Sequence, residues 1–268
     1  MSLLIALGFL CWFLTKDNEQ ELSLSDGFVI TVLFWIVLSV SGSIPFILFG
    51  FSVVDSFFES MSGITTTGAT VFAGLDELPK SLLIYRQLLQ WLGGMGLIVL
   101  AIAVMPLLGI GGGQLFKTQT PGPMSEQRLT PRITSTARAL WSIYLVLTVL
   151  CVLAYRFAGM DYFDAVSHAF STVSIGGFST HDLSIGYYDS LSIEVVCIVF
   201  MLLSAMSFAV HYSAIYRKQV LKYFYDPELR FFISALIVIL SLVCLSLISN
   251  NIEDPIRNGI FQTVSILT

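Results

Sequence analysis

Residues 55–70 read DSFFESMSGITTTGAT. Asp55 to Ile64 has helical propensity, whereas Thr65-Thr66-Thr67-Gly68-Ala69-Thr70 is a run of small and β-branched residues that favours extended backbone. The surrounding segment 51–81 is too apolar and too long for a simple loop, and too short to cross a bilayer and return as two full helices. It reads as a re-entrant hairpin, with a short helix going in and a bare strand coming out. Bare backbone at membrane depth is allowed only where it lines a watery cavity or is buried in protein.

The pattern recurs. Asp161 to Ser171 (DYFDAVSHAFS) is again helix-prone, and Val173-Ser174-Ile175-Gly176-Gly177-Phe178-Ser179-Thr180 again reads as extended. Phe170-Ser171-Thr172-Val173-Ser174-Ile175 and Phe261-Gln262-Thr263-Val264-Ser265-Ile266 agree at five of six positions, each after an apolar run and an acidic turn (Asp161 and Asp164; Glu253 and Asp254). The chain therefore reads as span–hairpin–span, span–hairpin–span, then span–hairpin.

The spans follow from the charges. The chain has 268 residues, 56% hydrophobic and 12% charged, with a mean hydropathy of +0.84. Soluble domains carry about 25% charged residues, so a soluble enzyme, a nucleic-acid binder and a disordered chain are all poor fits. Uncharged runs between Asp26 and Asp55, Arg86 and Lys117, Arg138 and Arg156, Glu194 and Arg217, and Arg230 and Glu253 hold 28, 30, 17, 22 and 22 residues. About 20 apolar residues cross a bilayer as a helix, and the shortest run suffices if its flanking arginines snorkel. Five spans are expected. Met1 to Thr15 is too short to span, lacks the basic start and cleavage site of a signal peptide, and reads as the end of a leading helix.

Lys117, Arg128, Arg132 and Arg138 lie in one connection, and Arg217, Lys218, Lys222 and Arg230 in another; the remaining connections hold Lys80 and Arg86, Arg156, and Arg257. The positive-inside rule places the first two loops in the cytoplasm and the hairpins on the outer side. Segment 16–26 should also be cytoplasmic, although Lys16 stands there against Asp17, Glu19, Glu21 and Asp26. Cys11, Cys151, Cys197 and Cys244 each lie in an apolar run with no CxxC pair, as buried thiols do.

A monovalent cation crossing a membrane exchanges its hydration shell for oxygen atoms, and backbone carbonyls supply these without fixed charge. Threonine adds a hydroxyl to an extended backbone, and glycine permits dihedrals that turn consecutive carbonyls the same way. Thr65-Thr66-Thr67-Gly68 has this composition, and Ser174-Ile175-Gly176-Gly177 has it less purely. Alone, TTTGAT is an ordinary turn between helices; its recurrence at the same place after a short helix makes a cation site the sharper reading. Asp55, Glu59, Asp161 and Asp164 are read as acids that begin the short helices and attract cations to the outer mouth.

Other features take plainer readings. Gly93-Gly94-Met95-Gly96 lies inside a span, where close helix packing explains it. Gly109-Ile110-Gly111-Gly112-Gly113 lacks the context of a phosphate loop. His168 is expected in a hydrogen-bonded structural role, His181 and Asp182 at the outer mouth, and His211 at the membrane interface. No GxSxG, HExxH, GxxxxGK[ST] or His/Cys metal spacing occurs, so no enzyme is expected.

Three stretches carry a specific resemblance: ESMSGITTTGATVFAGLDELPKSLLIYRQLLQWLGGMG (59–96), PGPMSEQRLTPRI (121–133) and DAVSHAFSTVSIGGFSTHD (164–182). Together they resemble TrkH-type potassium-uptake subunits of the Trk/Ktr/HKT superfamily. The resemblance implies an all-α polytopic membrane protein of repeated membrane helix–pore helix–membrane helix units, each with a re-entrant filter segment centred on a glycine. By that resemblance Gly68 is the first filter glycine and Gly176 the second, with the carbonyls of Thr66, Thr67, Ser174 and Ile175 flanking the ion. Glycine rather than serine at position 68 resembles the potassium-selective branch. The implied partition is a leading helix end (1–15), a first unit (26–116), a cytoplasmic linker (117–131), a second unit (132–218) and an incomplete third (226–268).

The same resemblance implies potassium uptake across the bacterial cytoplasmic (inner) membrane, with K+ as cargo and no cofactor. The implied partners are the lipid bilayer, a second copy in a homodimer and a cytosolic nucleotide-binding regulatory subunit, with no nucleic acid. Departures are the acidic 17–26 stretch, where the family has basic residues, and the end at Thr268, before a third filter glycine, a glycine-rich gate and a fourth unit with its arginine. The expectation is thus the N-terminal half of a pore, against two alternatives: a remnant without transport of its own, or a transporter of another solute class.

Overall fold

A computed structural model of the chain describes Gly8, Phe13 and residues 24–104, 133–252 and 254–268. The expectations for the remainder of 1–15, most of 16–26, the Gly109–Gly113 cluster, the 117–131 linker and Cys11 lie outside the described residues. All regular structure among the described residues is helical.

Helices are numbered from Leu24. Helix α1 (Leu24–Phe49) is followed by the short α2 (Val53–Ile64), a 3-10 turn (Leu75–Glu77) and α3 (Lys80–Val104). The order repeats with α4 (Ile133–Phe157), the short α5 (Tyr162–Ser174), a 3-10 turn (Ser184–Tyr188) and α6 (Leu191–Ala205). Then come α7 (Phe208–Tyr216), α8 (Lys222–Tyr225), α9 (Pro227–Ser249) and α10 (Pro255–Leu267).

Length separates two kinds of helix. At 1.5 Å per residue, the 25 residues of α3 and of α4 span roughly 37 Å, enough for ~30 Å of hydrocarbon. The 12 residues of α2 and 13 of α5 span only about 18–20 Å, half a crossing. Caps explain where the short helices begin. Ser52 Oγ accepts from the Asp55 amide (3.1 Å) and donates to its carboxylate (2.7 Å), and Asp161 accepts from the Phe163 amide.

Among the described residues, three helices are long and apolar enough to cross a membrane: 28–49 of α1, 138–157 of α4, and α9. A fourth crossing results if α6 and α7 count as one broken span. The most apolar stretch of α9 has none of its residues buried, a face that requires lipid or protein against it. Two cores hold the rest. Phe46, Ile64, Phe72, Leu82 and Leu89 join α1, α2 and α3, while Tyr144, Cys151, Tyr155, Ala169, Val173, Phe200 and Val264 join α4, α5, α6 and α10. Cys151 and Cys197 are buried free thiols.

Two span expectations need correction. The uncharged run 195–216 is not one helix, because Leu191–Ala205 and Val210–Tyr216 meet at 94°. Met206 is extended at the break, and His211 satisfies a carbonyl that the break frees: its Nε2 donates to Leu203 O (2.8 Å) while Nδ1 accepts from the Tyr223 hydroxyl (2.7 Å). His211 is buried and braces the break. Arg86, counted above among the basic residues of an outer connection, lies within α3 and is wholly buried.

Candidate functional site

The two short helices end in the same way. Thr66 N–H donates to Gly63 O (3.0 Å) and Thr67 N–H to Ser62 O (2.9 Å); Ile175 N–H donates to Thr172 O (3.2 Å) and Gly176 N–H to Ser171 O (2.8 Å). This is the Schellman closure, which puts one residue in the left-handed region. Those residues are Thr66 (φ +56°) and Ile175 (φ +54°), both β-branched and strained there. A glycine with positive φ follows two residues later in each: Gly68 (+78°) and Gly177 (+83°).

The backbone therefore aligns Thr66 with Ile175, Thr67 with Gly176, and Gly68 with Gly177. This shifts the sequence-derived register. Gly176, expected as the counterpart of Gly68, falls one residue earlier. Ser174, expected in the extended stretch, is the last residue of α5, buried, with its hydroxyl on Ser171 O (3.1 Å). In a Gly-Gly pair composition does not tell which glycine takes the left-handed backbone; the preceding helix cap decides it. The hairpins nearly touch at this point. A Cβ added to Gly68 would lie 2.1 Å from the Gly176 carbonyl oxygen, and one added to Gly176 would lie 2.4 Å from Gln90 Cδ.

Behind the extended segments stands a polar brace that the sequence reading missed. Gln90 donates from Nε2 to Gly176 O (2.7 Å) and accepts at Oε1 from Ser171 Oγ (2.9 Å) and Phe178 N (3.1 Å). Arg86 donates from Nε to Glu59 Oε1 (2.8 Å), from Nη2 to Thr70 Oγ1 (3.1 Å) and from Nη1 to Ser179 O (3.0 Å). Glu59 also accepts from Thr70 Oγ1 (2.9 Å) and Val71 N (3.1 Å). Glu59, Arg86 and Gln90 are all 0% exposed. Glu59 is thus not an acid of the outer mouth: it lies mid-helix as the counter-ion of Arg86. Arg86, Gln90 and Gly93 share the spacing of one helical face, the only signal in the sequence for a polar strip.

His168 takes the place in the second hairpin that Glu59 takes in the first. Glu59 bonds Thr70, eleven residues on, and His168 Nε2 accepts from Ser179 Oγ (2.9 Å), also eleven on. Its Nδ1 donates to Asp164 O (2.9 Å), which fixes the tautomer. Buried and with both ring nitrogens engaged, it has the hydrogen-bonded structural role expected of it.

The outer ends of the hairpins are latched together. His181 pairs with Asp76 and Asp164, its ring lies 3.6 Å from Tyr187, and Asp182 accepts from the Leu75 amide (3.1 Å). The His181 hydrogen bond holds the Asp76 carboxyl below its usual range. For Asp164 burial pushes upward, but hydrogen bonds from Thr180 and His181 outweigh it and the carboxyl is again lowered. Depressed carboxylates stabilise the folded state above their unfolded pKa, and that stability is lost as pH falls through the folded values. Amides of 75–77 and 181–182 should therefore be protected from hydrogen exchange at neutral pH and lose protection below about pH 4. Asp76→Asn should remove much of that acid dependence, and protection unchanged from pH 7 to 3 would show that the latch does not depend on these charges.

A cavity of about 260 Å³ opens between the hairpins, lined by Thr67, Gly68, Ile175, Gly177 and, from α10, Phe261 and Ser265. The third short helix therefore reaches the same space. Arg257 secures its start, donating to Glu194 (2.9 Å from Nε) and Asp189 (3.0 Å). Among the described residues that line the cavity there is no carboxylate, so the oxygens it offers are backbone carbonyls and the hydroxyls of threonine and serine.

Long apolar helices around two short capped helices, with backbone-lined hairpins at one cavity, define an all-α polytopic membrane protein. The chain belongs to the TrkH family, described as cation transport protein, which matches residues 1–268. It is 51% identical over 275 residues to the Trk system potassium uptake protein TrkH of Vibrio parahaemolyticus, covering 99% of this chain and 56% of that protein. It is 46% identical over 271 residues to the protein of the same name from Escherichia coli K12 (98% and 56%). The crystal structure of the potassium transporter TrkH from Vibrio parahaemolyticus superposes with a TM-score of 0.84 at 48% identity, covering 98% of this chain and 55% of that one. The chain spans about half the length of the relatives it matches.

Proposed function

We propose that the chain conducts potassium uptake across a bacterial cytoplasmic membrane, with its two extended hairpins forming part of a carbonyl-lined filter. The observation that carries this reading is the duplicated hairpin. Two short helices end in the same cap, each is followed by a strained β-branched residue and a positive-φ glycine, and both face one cavity. Strain of this kind persists where the surroundings over-determine it, as at ligand sites. The ion-facing residues are Thr66, Thr67 and Gly68 on one strand and Ile175, Gly176 and Gly177 on the other. The Gly176 carbonyl already accepts from Gln90, so Ile175 and Gly177 are the better ligands on their strand. Ser174, at the end of α5, contributes through the helix terminus.

The short helices direct their C-terminal, partially negative ends at this space, favouring a cation without fixed charge. The relatives' name, Trk system potassium uptake protein, supports K+ as cargo rather than an organic solute, and transport rather than catalysis. The proposed setting includes a homodimer and a cytosolic nucleotide-binding regulatory subunit that docks on the basic loops 114–138 and 217–230.

Gly68→Ser tests the filter. A side chain at φ +78° and 2.1 Å from a carbonyl must displace the strand. In the intact transporter, K+/Na+ discrimination in a flux assay should fall by about tenfold or more, the effect of ~1.4 kcal/mol of lost differential binding. Unchanged discrimination would remove the filter assignment.

A further inference from the structure

We propose that Arg86 is a specificity-determining positioning residue, a single buried guanidinium that holds the two hairpins at a fixed separation and so sets K+/Na+ discrimination. The inference rests on the filter reading above and adds a residue that does not line the cavity.

The three donor nitrogens of the guanidinium engage Glu59 and Thr70 of the first hairpin and the Ser179 carbonyl of the second. Its Cζ also lies 4.4 Å from the centre of the ring of Phe178, the residue after Gly177. Among the described residues it is a charged side chain bonded to both extended segments at once. Thr70 and Ser179 occupy equivalent places, two residues past the positive-φ glycines Gly68 and Gly177. The bonds therefore fix the same point on each strand.

The pairing is also asymmetric. Were the Glu59–Arg86 pair only a stabilising element of a repeated unit, a second such pair would be expected at the equivalent place. The second hairpin instead has His168, hydrogen-bonded to Ser179 Oγ and Asp164 O, and takes its cationic bond from the first unit's arginine. One charge pair thus serves two strands: Gln90 and His168 hold the second strand to the helices behind it, and Arg86 ties it to Glu59 and Thr70 of the first.

Charge-assisted bonds of about 2.8–3.1 Å tolerate shifts of only a few tenths of an ångström, and a planar fork fixes direction as well as distance. Whether a filter selects by cavity size or by the number and field of its carbonyls, loosening the tie between the two strands alters it. Lysine keeps the charge but brings a single ammonium, which does not reproduce a fork engaging Glu59, Thr70 and Ser179 together. Arg86→Lys therefore separates positioning from charge.

The test is K+ and Na+ flux by the intact transporter in liposomes, comparing wild type, Arg86→Lys and Gly68→Ser. Arg86→Lys should lower the K+/Na+ ratio about tenfold, the loss expected for one charge-assisted hydrogen bond, while K+ flux per folded molecule persists. Where Arg86→Lys is not recovered folded, Thr70→Val is judged instead; it removes the hydroxyl shared by Glu59 and Arg86 and should lower the ratio about threefold. If Gly68→Ser lowers the ratio but the judged variant leaves it unchanged, Arg86 is structural only and the proposal is overturned. If Gly68→Ser leaves it unchanged, the filter reading itself fails and the proposal falls with it.

Discussion

Glu59→Ala should cost the protein about 3–5 kcal/mol of stability, because it strands a buried arginine without its counter-charge. Both partners are 0% exposed and lie 2.6 Å apart. The pair is bought at a desolvation cost that its attraction only just repays, so the loss on breaking it measures the orphaned charge and not the bridge. Glu59→Gln combined with Arg86→Met removes both charges and should be closer to wild type than Glu59→Ala. Thermal unfolding of the intact protein in detergent, followed by size-exclusion of the surviving fraction, distinguishes the variants. A single variant no less stable than the double would mean that water reaches Arg86.

Gly93→Ala should be nearly as damaging, although alanine is the better helix former. An added Cβ would lie 1.9 Å from the Ile64 carbonyl oxygen and 2.6 Å from its carbon. Backbone cannot swing aside as a side chain does, so α2 and α3 must separate. Overpacking of this kind costs about 1–3 kcal/mol or more. Ile64 is the last residue of α2, directly before Thr65–Gly68, so the shift is delivered to the proposed filter and transport should fall together with stability. Gly96→Ala on the same helix is the control, since its Cβ would meet only a Trp35 ring atom at 4.0 Å. It should stay within about 0.5 kcal/mol of wild type. Equal melting temperatures for the two alanine variants would contradict the close approach.

The glycine cluster shows how far a sequence reading goes. GGMG within an apolar run signals close packing, and close packing is found, but not the partner: Gly93 faces the end of α2, and Gly94 faces Tyr144 and Ser174. The break after Ala205 had no signal at all, because no proline or glycine marks SAMSF and His211 supplies the missing bond from eight residues away. Glu59 and Arg86 are hidden from a sequence reading for a related reason. Charges in apolar sequence are assigned to the nearest water, and a pair that neutralises itself inside the protein leaves no local trace.

Periodicity, composition and the recurrence of one hairpin pattern are local properties, and they suffice to read an all-helical membrane protein with two short helices set between longer ones. They also locate the short helices to within a few residues. Which glycine takes the left-handed backbone, which acid is buried and which arginine ties the strands depend on atoms far apart in the chain. Thr70 and Ser179 meet Arg86 only once α2, α3 and α5 have packed. Packing sets them, because hydrogen bonds and steric contacts act over a few ångströms of space, whatever the distance along the chain.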